Sequence, residues 1–576
     1  MSAANLLLVA LVSVSACHAA IPDLTGCEVA AKTEQGYVCG RIRNATNGAK
    51  YASFRGMQYG TQPLGELRFK ELLPPPSFDG LFNATEAGPI CAQVDVLYTP
   101  NNLVAPLSSG EDCIRINVHV PYDYLPAINA TSNSSNLLPV MFWIHGGAFS
   151  YGSGDADVHG PEYLMTKNVI LVTINYRLHV FGFLSLDNEY IPGNNGLRDC
   201  ITALKWVQSN IRNFGGDPAR VTISGESAGA VMTHLLSISN ATQGLFQRAI
   251  ALSGQAIASF YSYSQSYVKL INAIFLPAAG INPLQTPRKI YEDLVAAPLE
   301  NLLRGNKVLL DFFGIVSFAP VIEKPQPNFT TVIPASPEDL LNAGAGKNYP
   351  LWIGFCSNEA ETFKTRLQEV NIETKLRLVP SLTLPQNLLF SANPLTVPAL
   401  TTLQLAEYFN VTFITLEKFL FAATDSYWKY PAQRLTLKRL RSNASNSYLS
   451  QLSYPGENNR SVIKDALNRN WTGAAHVEDL PYFFRFNHFV GPQQENELAP
   501  TSQDNKMRAK MTELITNFVI NGSPASSTDW PATGTDLKFQ NLDSPDQFNF
   551  TDPTPYMEDK ITYFSNLYNV GGLGSV

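Results

Sequence analysis

The sequence predicts an α/β protein: a large, mostly parallel central sheet flanked by helices, folded as a single globular domain with insertions. Short apolar, β-branched runs alternate with helical stretches along much of the chain. The runs lack the polar and apolar alternation of a half-exposed strand, so they suit strands that are buried on both faces. The 576 residues are 45% hydrophobic and 15% charged, which provides for a large core and excludes general disorder.

The order of these elements also indicates a parallel sheet. The predicted strands are residues 138–144, 169–175, 221–224, 249–252 and 351–355. Between the second and the third, residues 196–214 carry apolar side chains three or four positions apart, which is helical spacing. Strand, helix and strand in succession are typical of parallel pairing. Three segments do not follow this alternation of strands and helices, and we expect loops and helical insertions there: residues 76–102, 260–347 and 367–446.

The N-terminus predicts a secreted, extracellular protein. An apolar run at residues 6–14 is followed by small residues suited to cleavage, so we assign residues 1–19 to a signal peptide. The run has about half the length of a membrane span, and no stable membrane anchor is expected. Asn-x-Ser/Thr sequons support export as candidate glycosylation sites: Asn44, Asn83, Asn129, Asn133, Asn240, Asn328, Asn410, Asn443, Asn459, Asn470, Asn521 and Asn549.

The cysteines favour disulfides over metal binding. Removal of Cys17 with the signal peptide leaves six, and their spacing matches no zinc-binding or Cys-x-x-Cys pattern. An oxidising compartment favours disulfides, although sequence alone leaves every pairing open. Short local loops favour two pairs: Cys27–Cys39 and Cys91–Cys113. Cys200 and Cys356 fall in a predicted helix and at a strand end, where a buried free thiol is the alternative.

The charge of the chain argues against a nucleic-acid partner. Lys and Arg total 41 against 48 Asp and Glu, a formal net charge of −7. A negative protein has no general electrostatic attraction to a phosphate backbone. We also expect no metal and no organic cofactor, and the sequence leaves the oligomeric state open.

A candidate nucleophile lies at Ser227. The run at residues 221–224 leads into Gly225-Glu226-Ser227-Ala228-Gly229, and an apolar helical pattern follows. Gly-x-Ser-x-Gly between a strand and a helix is the context of a nucleophile elbow, a sharp turn that exposes the serine hydroxyl. The five-residue pattern alone is also found in ordinary glycine-rich turns, and its place between strand and helix is what favours the catalytic interpretation.

A candidate oxyanion hole precedes it. The predicted strand at residues 138–144 ends in a turn of small residues that includes Gly147 and Ala148. Their N–H groups, with that of Ala228 just after the serine, would stabilise the negative oxygen formed during acyl transfer. The alternative is a plain turn at the end of a strand.

Further segments occur in an order that is typical of one enzyme family: Phe54-Arg55-Gly56, Glu111-Asp112-Cys113, the turn after His145, Asn194-Asn195-Gly196-Leu197-Arg198-Asp199, Asn213-Phe214-Gly215-Gly216-Asp217-Pro218, the motif at Ser227, a helix at residues 511–522, and Trp530-Pro531. Over residues 22–564 the chain resembles the type-B carboxylesterase and cholinesterase family of α/β-hydrolases. It is most similar to secreted insect carboxylesterases of the antennal, odorant-degrading type. The resemblance implies an α/β-hydrolase fold and leaves residues 565–576 as a short C-terminal tail.

The resemblance also selects the acid and the base that would activate the serine. Glu359, just after the strand at residues 351–355, takes the acid role, although Ala360 stands where the family has a glycine. Glu361, two positions on, is the alternative acid. His476 lies in a loop similar to the catalytic-histidine loop of the family and takes the base role.

Four other residues have implied roles. By resemblance, Glu226 and Ser253 lie just behind the catalytic residues, and Arg55 forms an ion pair with Glu111. Ordinary packing and solvated surface carboxylates are the alternative interpretations.

The implied activity is hydrolysis of carboxylic esters through an acyl-enzyme on Ser227, with small or medium apolar esters (odorants, pheromones or xenobiotics) as substrates. The family's cholinesterases carry a tryptophan in the loop that Cys91–Cys113 would close, and this chain has Tyr98 and no tryptophan there, which argues against acetylcholine. One alternative is a juvenile hormone esterase, although that group usually has glutamine where Glu226 stands. Another is a catalytically silent binding or adhesion relative.

Overall fold

The computed structural model describes residues 21–574 except for 102, 104–107, 129–135, 411–412, 490–498 and 500. The predicted signal peptide and the sequons Asn129 and Asn133 therefore lie outside the described residues.

The strands are β1 (Val29–Lys32), β2 (Tyr37–Asn44), β3 (Lys50–Gln58), β4 (Leu81–Asn83), β5 (Ile90–Cys91), β6 (Ser109–Gly110), β7 (Arg115–Pro121), β8 (Leu138–Ile144), β9 (Ile170–Ile174), β10 (Gly216–Glu226), β11 (Arg248–Leu252), β12 (Leu351–Cys356), β13 (Ser447–Leu452), β14 (Phe539–Leu542) and β15 (Asn549–Thr551). In the described part of the chain, thirteen of them form one sheet, while β5 and β6 pair separately.

The sheet confirms the predicted α/β architecture. Its order is β1-β2-β3-β7-β9-β8-β10-β11-β12-β13-β14-β15, with β4 on β2. The run from β9 to β14 is parallel throughout. The two ends of the sheet add antiparallel strands. Every residue of β8, β9 and β12 is buried, as expected for apolar runs covered by helices on both faces.

The helices are α1 (His179–Phe183), α2 (Asn195–Asn210), α3 (Ala228–Ile238), α4 (Gln265–Ala278), α5 (Pro287–Ala296), α6 (Leu299–Phe313), α7 (Pro337–Asn342), α8 (Lys364–Glu369), α9 (Ile372–Leu378), α10 (Gln386–Ser391), α11 (Val397–Phe409), α12 (Leu416–Ala423), α13 (Tyr430–Arg441), α14 (Val462–Ala466), α15 (Leu480–Phe483), α16 (Gln503–Asn521) and α17 (Pro555–Val570). Helices α4 to α7 are inserted between β11 and β12, and α8 to α13 between β12 and β13, which confirms two of the three predicted insertions. The third segment, residues 76–102, instead contains the short strands β4 and β5. Helix α17 crosses the expected boundary at residue 564, and its Leu567 and Tyr568 are buried.

Both predicted disulfides are present, Cys27–Cys39 and Cys91–Cys113. Cys200 and Cys356 are buried free thiols.

The predicted ion pair between Arg55 and Glu111 is wrong. Glu111 instead receives two hydrogen bonds from the guanidinium of Arg68, at 2.6 and 2.7 Å. Arg68 follows a short 3₁₀ turn that brings it onto the loop carrying Glu111, an arrangement that depends on tertiary packing rather than on a local motif.

The surface of the described chain is compatible with glycosylation. Of its ten sequon asparagines, nine are exposed and Asn459 is partly buried. Within the same residues, no helix has the length and apolar character needed to cross a membrane.

Candidate active site

The predicted site residues meet at the carboxyl ends of neighbouring parallel strands. Ser227 follows β10, the turn with Gly147 and Ala148 follows β8, and Glu359 follows β12. His476 lies on the long segment after β13. Parallel strands present these ends at one edge of the sheet, so residues far apart in sequence are brought together.

Ser227 occupies a strained turn between β10 and α3. Its backbone has φ 57° and ψ −126°, outside the regions that L-residues favour. The flanking glycines permit the turn: a Cβ on Gly225 would lie 2.5 Å from the backbone of Gly229, and one on Gly229 would lie 2.0 Å from the carbonyl oxygen of Ile144. The predicted nucleophile elbow is therefore present, and the turn leaves the serine 9% exposed at the base of a cavity.

The three predicted catalytic residues form a continuous hydrogen-bonded chain. Nε2 of His476 lies 2.7 Å from Oγ of Ser227, and its Nδ1 lies 2.6 Å from Oε2 of Glu359. Glu359 and His476 are both buried, at 0% and 1% exposure. With Nδ1 donating to the carboxylate, Nε2 can accept the serine proton, which is the geometry that general-base activation requires.

Glu359 is held in place through its second oxygen. Oε1 accepts hydrogen bonds from Oγ of Ser253 at 2.6 Å and from the backbone N–H of Cys356 at 2.8 Å. The alternative acid, Glu361, lies elsewhere and pairs with Arg469 at 2.9 Å. Glu359 is thus the carboxylate positioned against the histidine.

The turn after β8 faces the serine. N–H groups of Ser150 and Tyr151 donate to the carbonyl of Gly147, at 2.9 and 3.0 Å, and close the turn. Gly147 and Ala148 line the same cavity as Ser227. Ala228 is the first residue of α3, so its N–H has no acceptor within the helix. These three N–H groups come from the elements expected to form an oxyanion hole.

A buried acidic cluster surrounds the histidine. Oε1 of Glu226 lies 3.1 Å from Nε2 of His476, yet neither carboxyl oxygen of Glu226 has a hydrogen-bond partner among the described residues. Burial, with the nearby charges of Asp479 and Glu359, raises the pKa of Glu226 well above its usual value. Burial and then the charge of Glu359 raise the pKa of Asp479 to about 7. The sequence motifs did not identify Asp479, although an acidic residue so close to His476 in an apolar loop was an available signal.

Two aromatic residues that the motifs also missed pack against the histidine. The rings of Phe363 and Trp428 lie 5.1 and 5.3 Å from the imidazole, and they stack on each other at 6.1 Å. Trp428 lies in a π-helical segment, Thr424–Lys429, between α12 and α13. Both rings line the cavity into which Ser227 and His476 open.

An apolar cavity of about 300 Å³ opens from Ser227 and His476. Its walls are predominantly aromatic and aliphatic, from the two insertions and from the loop closed by Cys91–Cys113. Lys375, at the mouth, donates to the backbone carbonyls of Asp311 and Phe312 at 2.9 Å each. The cavity suits an apolar molecule that presents one reactive carbonyl to the serine. No cluster of three or more His, Cys, Asp or Glu suited to a metal ion occurs within the described residues.

Comparison with known proteins agrees with this geometry. Residues 28–555 match the Carboxylesterase family. The chain is 41% identical to the juvenile hormone esterase of Heliothis virescens over 543 residues, which is 93% of this chain and 94% of the relative. The crystal structure of juvenile hormone esterase from Manduca sexta, with OTFP covalently attached, has a TM-score of 0.89 and 41% identity, and the match covers 94% of this chain and 99% of that one. A PNB esterase structure has a TM-score of 0.70 and 26% identity, with 92% and 99% covered. The chain belongs to the carboxylesterase family and is a carboxylic ester hydrolase.

Proposed function

We propose that this esterase hydrolyses long apolar esters of the juvenile hormone type. The observation that carries the proposal is the apolar cavity that ends at Ser227 and His476. It can desolvate a long hydrocarbon chain while leaving the ester beside the serine. The two relatives at 41% identity are both named juvenile hormone esterases, which favours this substrate class over the odorant-type esters expected from the sequence.

The proposed mechanism uses the hydrogen-bonded chain directly. Ser227 attacks the ester carbonyl while Nε2 of His476 accepts its proton, and Glu359 keeps Nδ1 protonated and stabilises the imidazolium. N–H groups of Gly147, Ala148 and Ala228 stabilise the tetrahedral oxyanion. The histidine then protonates the leaving alcohol. Water, activated by the same histidine, attacks the acyl-enzyme and releases the acid.

Glu226 is the residue that argued against a juvenile hormone esterase, and its environment weakens that argument. A carboxyl group that is fully buried without a hydrogen-bond partner among the described residues favours its protonated form, and the direction of its pKa shift agrees. A neutral carboxylic acid has nearly the shape and the zero charge of a glutamine side chain. The glutamate is therefore compatible with this substrate class.

A second candidate is hydrolysis of smaller odorant or xenobiotic esters. It is favoured by the glutamate itself, since the juvenile hormone esterases usually have glutamine at that position. The two candidates share one chemistry and differ in the chain length that gives the highest kcat/KM.

The test combines covalent labelling with a substrate series. Wild type, Ser227→Ala and the control Ser224→Ala are treated with a fluorophosphonate, and label per chain is measured. Ser224 is a buried strand serine whose Oγ donates to the carbonyl of Phe142 at 3.0 Å, outside the triad. We expect near-stoichiometric label in wild type and control and none in Ser227→Ala. Hydrolysis of juvenile hormone is then compared with that of short-chain acetates.

The outcomes separate the candidates. A kcat/KM for juvenile hormone well above that for short acetates supports the proposal, and the reverse order supports the second candidate. Absence of label in folded wild type would contradict both and would favour the silent binding relative.

We also propose that the protein is secreted. Two disulfides and the exposed sequon asparagines support export. Expression of the full chain in insect cells, followed by enzymatic deglycosylation, should give the protein in the medium with a fall in apparent mass. Retention of all the protein inside the cells would contradict it.

A further inference from the structure

Part of the cavity wall is built by the π-helical segment Thr424–Lys429. Its Tyr427 and Trp428 line the cavity, and so does Ala423 just before it. The side chains of a π-helical turn do not follow the 3.6-residue spacing of an α-helix, so the adjoining regular helices do not by themselves fix their directions. The positions of the two rings therefore depend on how the segment is anchored.

Two anchors tie the segment to loops near the triad. Oγ1 of Thr424 accepts a hydrogen bond at 3.1 Å from the N–H of Ala360, the residue after Glu359. The carbonyl of Ser426 accepts a hydrogen bond from Oγ of Ser259. Ala360 follows β12 and Ser259 follows β11, so both contacts lead back to the central sheet.

A third anchor, Asp425, connects the segment to helices outside the cavity. Asp425 is 2% exposed, and its Oδ2 accepts hydrogen bonds from the phenol of Tyr408 on α11, at 3.1 Å, and from the phenol of Tyr556 on α17. Nζ of Lys429 lies 3.7 Å from Oδ1. A buried carboxylate without such partners is costly, so these contacts hold Asp425 in one place.

Helix α17 keeps the two phenols together. Nζ of Lys560 on α17 lies 4.8 Å from the ring centroid of Tyr408 and 4.9 Å from that of Tyr556, within cation–π range. The same amine pairs with Glu407 on α11. Tyr556 is 38% exposed in the first turn of α17. A continuous set of contacts therefore runs from the protein surface through Asp425 to the cavity wall.

We propose that Tyr408 and Tyr556, acting through Asp425, position Tyr427 and Trp428 and thereby set the preference of this esterase for long apolar esters. Both tyrosines are positioning residues, since the described lining of the cavity does not include them. The inference rests on the proposed function and deepens it by naming residues outside the cavity that control chain-length preference.

The triad has anchors of its own. Glu359 is held by Oγ of Ser253 and by the N–H of Cys356, at 2.6 and 2.8 Å. Ser227 is held by the strained turn between β10 and α3. A short ester that fills only the space beside Ser227 makes little use of the aromatic wall. Loss of a phenol donor should therefore affect long esters and spare short ones.

The experiment compares p-nitrophenyl decanoate with p-nitrophenyl acetate, which share a leaving group and differ in chain length. Release of p-nitrophenolate is followed for wild type, Tyr556→Phe, the double variant Tyr408→Phe/Tyr556→Phe and the matched control Tyr563→Phe. Tyr563 also lies on α17, and its phenol also donates to α11, but to Oε1 of Gln404 at 2.9 Å rather than to Asp425. Active sites are counted with the fluorophosphonate, so loss of folded protein cancels.

We expect Tyr556→Phe to lower the decanoate-to-acetate ratio of kcat/KM about fivefold, a typical coupling between residues of one hydrogen-bonded network, mainly through a higher KM for the decanoate. The double variant should lower the ratio further. The control should keep the wild-type ratio, and kcat for the acetate should stay within about twofold in every variant.

The outcomes separate the inference from the proposed function. An unchanged ratio in the double variant, or an equal fall in Tyr563→Phe, would overturn the inference alone. A loss of kcat that is equal for acetate and decanoate would also overturn it, because the link would then support the triad rather than the wall. Fully labelled wild type that hydrolyses neither ester would overturn the proposed function itself.

Discussion

Substitution Ser253→Ala tests whether the carboxylate behind the histidine needs its buried hydroxyl donor. Ser253 is fully buried at the end of β11, and its Oγ donates to Oε1 of Glu359 at 2.6 Å. Its backbone φ of 53° is as accessible to alanine as to serine, since both carry a Cβ. The substitution therefore removes one hydrogen bond and leaves the backbone unchanged.

The structure bounds the size of the effect. A hydrogen bond to a charged group contributes about 1.5–3 kcal/mol, and about 1.4 kcal/mol corresponds to tenfold in rate, so the loss in kcat is at most roughly 150-fold. The N–H of Cys356 still donates to the same oxygen at 2.8 Å and limits its movement. We therefore expect the loss to lie at the lower end of that energy range, which corresponds to a fall in kcat of about tenfold. KM should stay near wild type, because Ser253 does not line the cavity.

The assay is steady-state hydrolysis of one ester, normalised to active sites by fluorophosphonate titration. Ser224→Ala is the matched control, because it also deletes a buried hydroxyl that donates to an oxygen, here the carbonyl of Phe142. We expect the control to keep its kcat within about twofold, as for a single neutral hydrogen bond outside the site. If Ser253→Ala kept wild-type kcat, or if the control lost as much, the proposed support of Glu359 by Ser253 would be refuted.

Three further predictions follow from the same contacts. The pKa of Asp479 is raised from 3.8 to about 7, so the folded protein loses stability as pH rises from 3.8 to about 7, because in that range the unfolded chain ionises this group and the folded chain does not. Asp479→Asn should therefore raise Tm relative to wild type more at pH 8 than at pH 5 in thermal-shift measurements, and a pH-independent difference would contradict this. Glu226→Gln should keep kcat/KM within about threefold at pH 7, since a buried neutral acid is replaced by a neutral amide; a loss of a hundredfold would show that the carboxylate is ionised. Gly229→Ala, whose Cβ would lie 2.0 Å from the carbonyl of Ile144, should abolish fluorophosphonate labelling, whereas Gly110→Ala, which meets nothing within 4 Å, should label normally.

The sequence predicts the centre of the sheet well because a strand that is buried on both faces is recognisable as a continuous apolar run. The runs that became β8, β9 and β12 are apolar except for Thr173 and lie in that order in the chain. The antiparallel strands at the ends of the sheet were not predicted. Strand β2, for example, is buried over its first four residues and partly or fully exposed over the rest, so neither a continuous apolar run nor a strict alternation identifies it.

The predicted triad meets in the structure, but its surroundings were predicted only in part. The motif and the resemblance select Ser227, Glu359 and His476, and the hydrogen bonds at 2.7 and 2.6 Å link those three residues. Arg68 as the partner of Glu111 and Asp479 beside the triad were missed. The partner of Glu111 depends on which loops pack together, and the local pattern of residues does not carry that information, whereas the position of Asp479 close to His476 in sequence was a local signal.

Trp428 shows the limit of helical periodicity most clearly. It lies in a π-helical segment, where each turn contains more residues than the 3.6 of an α-helix. A helical pattern advances about 100° per residue, so one extra residue in a turn shifts every later side chain to another face. A regular α-helix through Thr424–Lys429 would therefore turn the indole away from the imidazole that it contacts at 5.3 Å. Ser227 and Glu359 directly follow strand ends, whose positions follow from the register of the sheet, whereas this wall of the cavity depends on a single irregular turn. Substrate preference can thus change through small changes in the insertions while the triad stays in place.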